Sequence, residues 1–342
     1  MTAAEQLYLD NTLVAKLYPK ESRPALSVGH NFSFVLNISR LADRETFTLA
    51  PGHEIRRANE AEIAAIKDVL TTHANLATGW KKWETDLDRT ESGEPWFRLR
   101  PPGEWRYFVI AFEDSNSMII EIERALCVAP VELKIGFTLA TSTFELDDGS
   151  KRSFDTVLCN PGRLSSQVRA LGNYLPFVEL TSANVDSLPA LITQIQSCDA
   201  NLLDIKRITL QALDLDALPC ESPLLFLGYF AILESLLTHQ ARPEDTIDSI
   251  TRQVRQKLVL LDNRWRPRID YSPFGTTPPE KIWSTMYGYR SCLAHGSEPN
   301  FKKDLKLLGD HDGALKLLKQ TVRSVLRQAL SEPQLIVDLR NC

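Results

Sequence analysis

Apolar and polar positions follow two different rhythms along this chain. Up to about residue 195, short runs of strand-forming residues mix with helical spacing. Residues 32–38 are rich in strand formers and predict a strand. Residues 51–70 read as a turn followed by a helix: Asn59 is placed to cap it, Glu62 follows three positions on as in a capping box, and Ile63, Ile66 and Leu70 recur at helical spacing. Residues 96–99 and 105–112 predict two strands around Pro101-Pro102-Gly103. Residues 133–146 and 153–158 flank Asp147-Asp148-Gly149, a hairpin signal. Residues 185–196 predict a helix with Pro189 in its first turn, where a missing N–H costs little.

From about Asn201 the strand signals stop. Leu202, Ile205, Ile208 and Leu213 mark one helix, and residues 223–237 a second, very apolar and central. Residues 246–261 alternate apolar and basic positions as a third, and 262–277 form a loop rich in Pro, Arg and Gly. Pro278-Pro279 opens a fourth helix, and residues 313–330 carry a fifth with Leu315, Leu318, Val322, Val325 and Leu326 on one side. The pattern contains no internal repeat. It predicts an α+β chain, with a mixed strand and helix domain over 1–195 followed by an all-helical domain over 200–342.

Composition narrows the class. With 342 residues, 43% hydrophobic and 24% charged, the chain is long enough for two domains and a large core. The longest apolar block, from Pro223, is broken by Glu234, so no membrane span is expected. The start, Met1-Thr-Ala-Ala-Glu-Gln, has neither a basic nor an apolar run, and the six cysteines share no metal-binding spacing; together they predict a chain of the reducing cytoplasm. The net charge of −5 hides an asymmetry: residues 251–330 hold 15 Lys+Arg against 7 Asp+Glu, a balance of +8 that leaves −13 for the rest. Such segregation suits one region that meets a polyanion, and equally a set of solvated helix faces.

Candidate chemistry concentrates in Tyr287-Gly288-Tyr289-Arg290-Ser291-Cys292-Leu293-Ala294-His295-Gly296. Arginine grips phosphate oxygens with a planar fork, and histidine exchanges protons near neutral pH. The bare spacing of the pair turns up about once by chance in a chain this long. Arg23 and His30 supply such a decoy, in an extended stretch beside Pro24 and Gly29. Cys292 is read as a small buried apolar side chain in preference to a nucleophile, and His239 and His311, lacking sequence partners, as surface residues.

With this motif, the apolar helix Leu225-Phe-Leu-Gly-Tyr-Phe-Ala-Ile-Leu-Glu234-Ser-Leu-Leu237 and the basic helix and variable loop between them, the C-terminal region resembles the HEPN superfamily, and more narrowly its Apea-like branch. The likeness covers about 201–342. It implies an HEPN-like helical bundle and a metal-independent endoribonuclease of the Arg-x4–6-His type, without cofactor. Arg290 and His295 would be catalytic. Ser291, where many active members carry Asn, Asp or His, would support them. From the residues themselves, Glu234 reads as a partner for Arg290 or another buried cation and equally as a surface-facing Glu, and Tyr287 as core packing more often than as a phosphate or base contact. The resemblance further implies a homodimer through the helical domain and a toxin or antiphage-defence role, with a protein or phage-derived trigger at the N-terminal domain. The alternative is a non-catalytic HEPN module that dimerises and binds RNA or nucleotides.

The chemistry fits these residue types. RNA carries its own nucleophile, the 2′-OH; an enzyme removes its proton, stabilises charge on the phosphate and protonates the leaving 5′-oxygen. Arg264, Arg266 and Arg268, with Trp265 among them, form a basic aromatic loop suited to single-stranded RNA, and equally to an exposed linker. Residues five apart on a helix point about 140° away from each other, so one copy of the motif makes a poor two-residue site and two copies across a two-fold axis a better one.

Overall fold

A computed structural model describes residues 31–72, 80–89, 95–112, 117–145, 149, 151–172, 175–198, 204–239 and 250–342. The decoy pair Arg23 and His30 and the tip of the expected hairpin at Asp147-Asp148 lie outside them. The chain is mixed α/β: an antiparallel sheet dominates the N-terminal part, and the described residues after 204 form helices and turns only.

The strands are β1 (Asn31–Val35), β2 (Ile38–Leu41), β3 (Thr46–Ala50), β4 (His53–Arg57), β5 (Thr85–Arg89), β6 (Pro95–Leu99), β7 (Phe108–Phe112), β8 (Ile135–Glu145), β9 (Lys151–Leu158) and β10 (Val178–Leu180). Six of them form one antiparallel sheet in the order β3-β4-β7-β1-β8-β9. Period-two alternation divides β1 between the two faces of this sheet. Phe32 and Phe34 enter one core with Val109, Phe137 and Leu139. Ser33 faces the other way and shares a 2.7 Å buried hydrogen bond with Thr138.

The first core is closed by α1 (Glu60–Thr72), α2 (Lys81–Glu84) and α4 (Pro161–Ala170). Helix α1 begins with the expected box: the Glu62 N–H donates to Asn59 Oδ1 at 2.9 Å, and the Asn59 N–H to Glu62 Oε2 at 2.8 Å. Against the opposite face lie α3 (Ser117–Val128) and α6 (Leu188–Ser197), with the short α5 (Ser182–Val185) before the latter. The single helix expected over 185–196 is therefore broken at Asp186 and Ser187, and Pro189 lies in the first turn of α6.

Two expected neighbours do not pair. β6 forms a ribbon with β5, whereas β7 joins the large sheet. A 3-10 turn (Pro102–Glu104) and the extended residues after it carry the chain too far for a tight hairpin. Likewise the strand expected over 32–38 ends at Val35. Asn37 leaves the sheet as a buried bracket, donating to the Glu132 carbonyl and accepting from the Lys134 N–H, and β2 pairs instead with β10.

The helical part comprises α7 (Ile205–Leu215), α8 (Pro223–Leu237), α9 (Ile250–Asp262), α10 (Pro279–Ala294), α11 (His311–Ser331) and α12 (Pro333–Asn341). α8 is central, burying Leu225, Phe226, Tyr229, Phe230, Ile232, Leu233, Leu236 and Leu237. Its neighbours α9 to α12 each turn an apolar stripe toward it. The expected boundary near 200 falls between α6 and α7, and residues from both sides of it contribute to one continuous core.

A candidate active site at the end of helix α10

Pro279 starts α10 at a position where its missing N–H is harmless. Gly296 stops the helix. With φ +68° it occupies the left-handed region; its N–H donates to the Leu293 carbonyl at 3.1 Å and that of Ser297 to the Cys292 carbonyl at 2.9 Å. This is a Schellman cap. His295 is therefore the last residue before the reversal, held by its own N–H on the Ser291 carbonyl at 3.1 Å, with its ring exposed.

His295 lines an open cleft of about 600 Å³. One face of α10 floors it, with Ser284, Gly288, Ser291 and Cys292 spaced four, three and one residue apart. The segment after the cap forms the other wall and contributes Glu298, Asn300 and Asp304. That same segment carries Lys302, Lys303 and Lys306, all exposed. These lysines escape a motif-based reading; their only sequence signal is a small basic cluster close behind the motif. Cys292, expected to be buried, is only half-buried because it lines the cleft, and its thiol donates weakly to the Ser297 carbonyl at 3.2 Å, within the cap.

Arg290 does not line this cleft. Its guanidinium turns toward α8, where Nη2 donates to Glu234 Oε2 at 3.0 Å. The two side chains retain 30% and 18% exposure, so the pair is screened only in part. Tyr287 packs beneath it, its ring centroid 5.7 Å from the guanidinium carbon, and meets the Phe230 ring edge-on at 6.0 Å. The other Glu234 oxygen is buried and has no partner among the described residues. Of the sequence candidates, the structure thus gathers Arg290, Glu234 and Tyr287 on one side of α10, and Ser291 and His295 on the other.

Behind the motif lies a contact that spacing alone does not show. Tyr289 is 2% exposed, and its hydroxyl lies 2.6 Å from His311 Nδ1. His311 Nε2 lies 2.9 Å from the Cys220 carbonyl, which only accepts, so Nε2 carries a proton and Nδ1 is the nitrogen that meets the Tyr289 hydroxyl. Burial, before the nearby Cys292 and Asp312, pushes the Tyr289 hydroxyl up to about 12, so it stays a donor.

Three sequence expectations are corrected here. His311 is half-buried and bridges two elements. His239 is half-buried as well, with Nδ1 3.0 Å from the Arg340 carbonyl. Trp265 is 8% exposed and belongs to the core, so it offers no stacking surface for a base. A loop entering from a helix end anchors itself with its largest apolar side chain, and Trp265 serves that purpose. The arginines around it remain exposed: Arg264 pairs with Glu332 at 3.0 Å, Arg266 donates to the Asn263 and Trp265 carbonyls, and Arg268 faces solvent.

Among the described residues, no three His, Cys, Asp or Glu side chains cluster as a metal-binding group, and no helix is long and apolar enough to cross a membrane. Compared with protein-family models, with curated proteins and with solved structures, the chain matches none.

Proposed function

We propose that this chain is a metal-independent endoribonuclease of HEPN type that cleaves RNA by 2′-OH attack, with Arg290 and His295 contributed to one cleft by two copies of the chain. The observation that carries the reading is the state of the two side chains. His295 is exposed on an open cleft, and Arg290, outside that cleft, is held by Glu234 on the other side of the same helix. Neither completes a site alone, and a second copy that brings its Arg290 against the His295 of the first would supply what each lacks.

In this mechanism, histidine accepts the 2′-OH proton as the 2′-oxygen bonds to phosphorus. The bond from phosphorus to the 5′-oxygen breaks, and a protonated histidine returns a proton to that oxygen. The products are a 2′,3′-cyclic phosphate and a 5′-hydroxyl. Arginine holds the non-bridging oxygens as charge accumulates there. Glu234 engages Nη2 and leaves the rest of the guanidinium fork to meet phosphate. Lys302, Lys303 and Lys306, exposed on the segment behind the cleft wall, offer the RNA backbone a sequence-independent attraction, while the wall itself carries the acidic Glu298 and Asp304.

The test is to incubate wild-type and His295→Ala protein with total cellular RNA in EDTA and to map the ends. Wild type should yield cyclic phosphate ends, and the variant should lose about 10²–10⁴-fold in rate, the span of general acid–base catalysis. Cleavage that needs added metal, or that survives in the variant, contradicts the reading.

The second reading is a non-catalytic module that dimerises and binds RNA or nucleotides. The Arg290–Glu234 contact favours it, because an arginine already neutralised can serve packing alone. RNA binding without turnover by a folded dimer would select it. A role in toxicity or phage defence, triggered through the N-terminal half, belongs to the first reading.

A further inference from the structure

Away from α10, the densest group of buried charge lies where the sheet part meets the helices. Lys134, just before β8, is buried against Asp216, which follows α7, and lies 3.1 Å from Glu132 Oε1. Arg323 of α11 reaches the same Glu132 oxygen at 3.0 Å. Lys319, one turn earlier, is more loosely held, 3.6 Å from Asp216 Oδ1 and 4.0 Å from Glu132 Oε1. The Tyr229 hydroxyl donates to Asp216 Oδ1 at 2.7 Å. Burial pushes both carboxyls up, but the surrounding cations outweigh it and hold them below the ordinary carboxylate range. Three cations therefore face two ionised carboxylates, and one positive charge in this group is uncompensated.

A cavity of about 50 Å³ opens beside Lys134 and Lys319. Ser166 and Gln167 of α4 close it on the sheet side. Gln167 is 6% exposed; both its amide nitrogen and its amide oxygen are buried, and neither has a partner among the described residues. Leaving both ends of a buried amide unpaired is costly, because each end loses its water without gaining a partner. At about 10–15 Å³ for each water-sized position, the cavity has room for roughly three to five oxygens. Lys319 retains 20% exposure and marks the way in from solvent.

We propose that this cavity binds one small protonated oxyanion of single negative charge, with inorganic dihydrogen phosphate as its chemical type. Water could satisfy Gln167 but would leave the extra positive charge standing. A protonated oxyanion meets both requirements. Its charged oxygens accept from Lys319 and from the Gln167 amide N–H, and its own O–H donates to the Gln167 carbonyl oxygen. Glu132 and Asp216 also face the space, and they disfavour a fully ionised anion relative to a protonated one. The volume excludes a nucleotide. Cys220 borders the same cavity, and its carbonyl is the acceptor of His311, so the site adjoins the Tyr289–His311 contact behind α10. The claim does not depend on the ribonuclease reading.

The experiment measures the thermal midpoint of the full chain against inorganic phosphate, sulfate and chloride at equal ionic strength and mildly acidic pH. Phosphate should raise the midpoint saturably, as a ligand selective for the native state does. Sulfate, lacking the proton, should do so more weakly. Lys319→Met and Gln167→Leu should each abolish the phosphate-specific rise; if Gln167→Leu does not fold, Lys319→Met decides. A phosphate effect no larger than that of chloride, or one that survives in the folded variants, overturns the proposal. A sulfate effect equal to that of phosphate overturns the role given to the proton and the Gln167 oxygen.

Discussion

At the level of single residues, Arg290 has two tasks. It holds Glu234 at 3.0 Å, and in the proposed mechanism it also holds a phosphate. Arg290→Lys separates these roles. A lysine keeps the charge for Glu234 but loses the planar fork. Stability in urea should change by less than about 1 kcal/mol, as for a part-exposed ion pair that keeps its charge. RNA cleavage should fall by about 10²–10³-fold, the effect of removing one transition-state donor. A variant that is destabilised yet fully active would assign Arg290 to packing alone. Much of this geometry is legible beforehand. Helical periodicity already sets Arg290 and His295 on different faces, and an acidic residue inside an apolar helix asks for a cation. The partner of His311 is not legible, because Tyr289 and Cys220 are brought to it only by tertiary packing, from 22 and 91 residues away. Nor is the burial of Trp265 legible, since a tryptophan among arginines reads equally as surface and as anchor.

At the scale of elements, the cap after α10 decides where His295 stands. Gly296 sits at φ +68°, and a Cβ added there would meet nothing within 4 Å, so a substitution strains only the backbone. Gly296→Ala should cost about 1–2 kcal/mol in chemical denaturation, the penalty of the left-handed region for an L-residue. It should also lower cleavage more than affinity for RNA, because the histidine moves while the lysines beyond it stay. Unchanged stability would mean that the cap re-forms without glycine. Elements with strong local signals read well from sequence: the Asn59–Glu62 box of α1, the hairpin arms β8 and β9, and the apolar α8. The sequence reading assigns no element to α3, α4 or α12, nor to β4. α3 mixes Met, Ile, Glu and Val in a way that suits helix or strand, and packing against the sheet decides it. β4 has only five residues between a turn and a helix cap and is fixed by its neighbours β3 and β7.

At the scale of the whole molecule, the mixed N-terminal part and the helical C-terminal part share a core and are joined by the ion group around Lys134 and Asp216. The charge excess over 251–330 is partly spent inside this architecture. Lys257 is buried on the Leu237 and Cys342 carbonyls, and the half-buried Arg323 and Arg327 are engaged by Glu132 and the Val128 carbonyl, so the surface facing a polyanion is less basic than the count implies. The ion group also sets an acid limit. The carboxyls of Asp216 and Glu132 lie lower in the folded chain than their unfolded values of about 3.9 and 4.3. Their contribution is complete above those values and is lost as pH falls through the lower folded ones. Urea midpoints should therefore drop steeply below about pH 4. In Lys134→Met, where burial is less opposed, the drop should begin at higher pH. A midpoint flat down to strongly acidic pH would show that these carboxylates do not tie the two parts together.

The proposed site is built by two copies of one helix end. Its most direct test mixes two variants, Arg290→Ala and His295→Ala, unfolded together and refolded so that subunits exchange, and then measures RNA cleavage in EDTA. Each variant alone should be inactive. The mixture should regain activity, because a mixed dimer pairs the arginine of one copy with the histidine of the other. A mixture as inactive as its components, beside an active wild type refolded in the same way, would contradict the shared site.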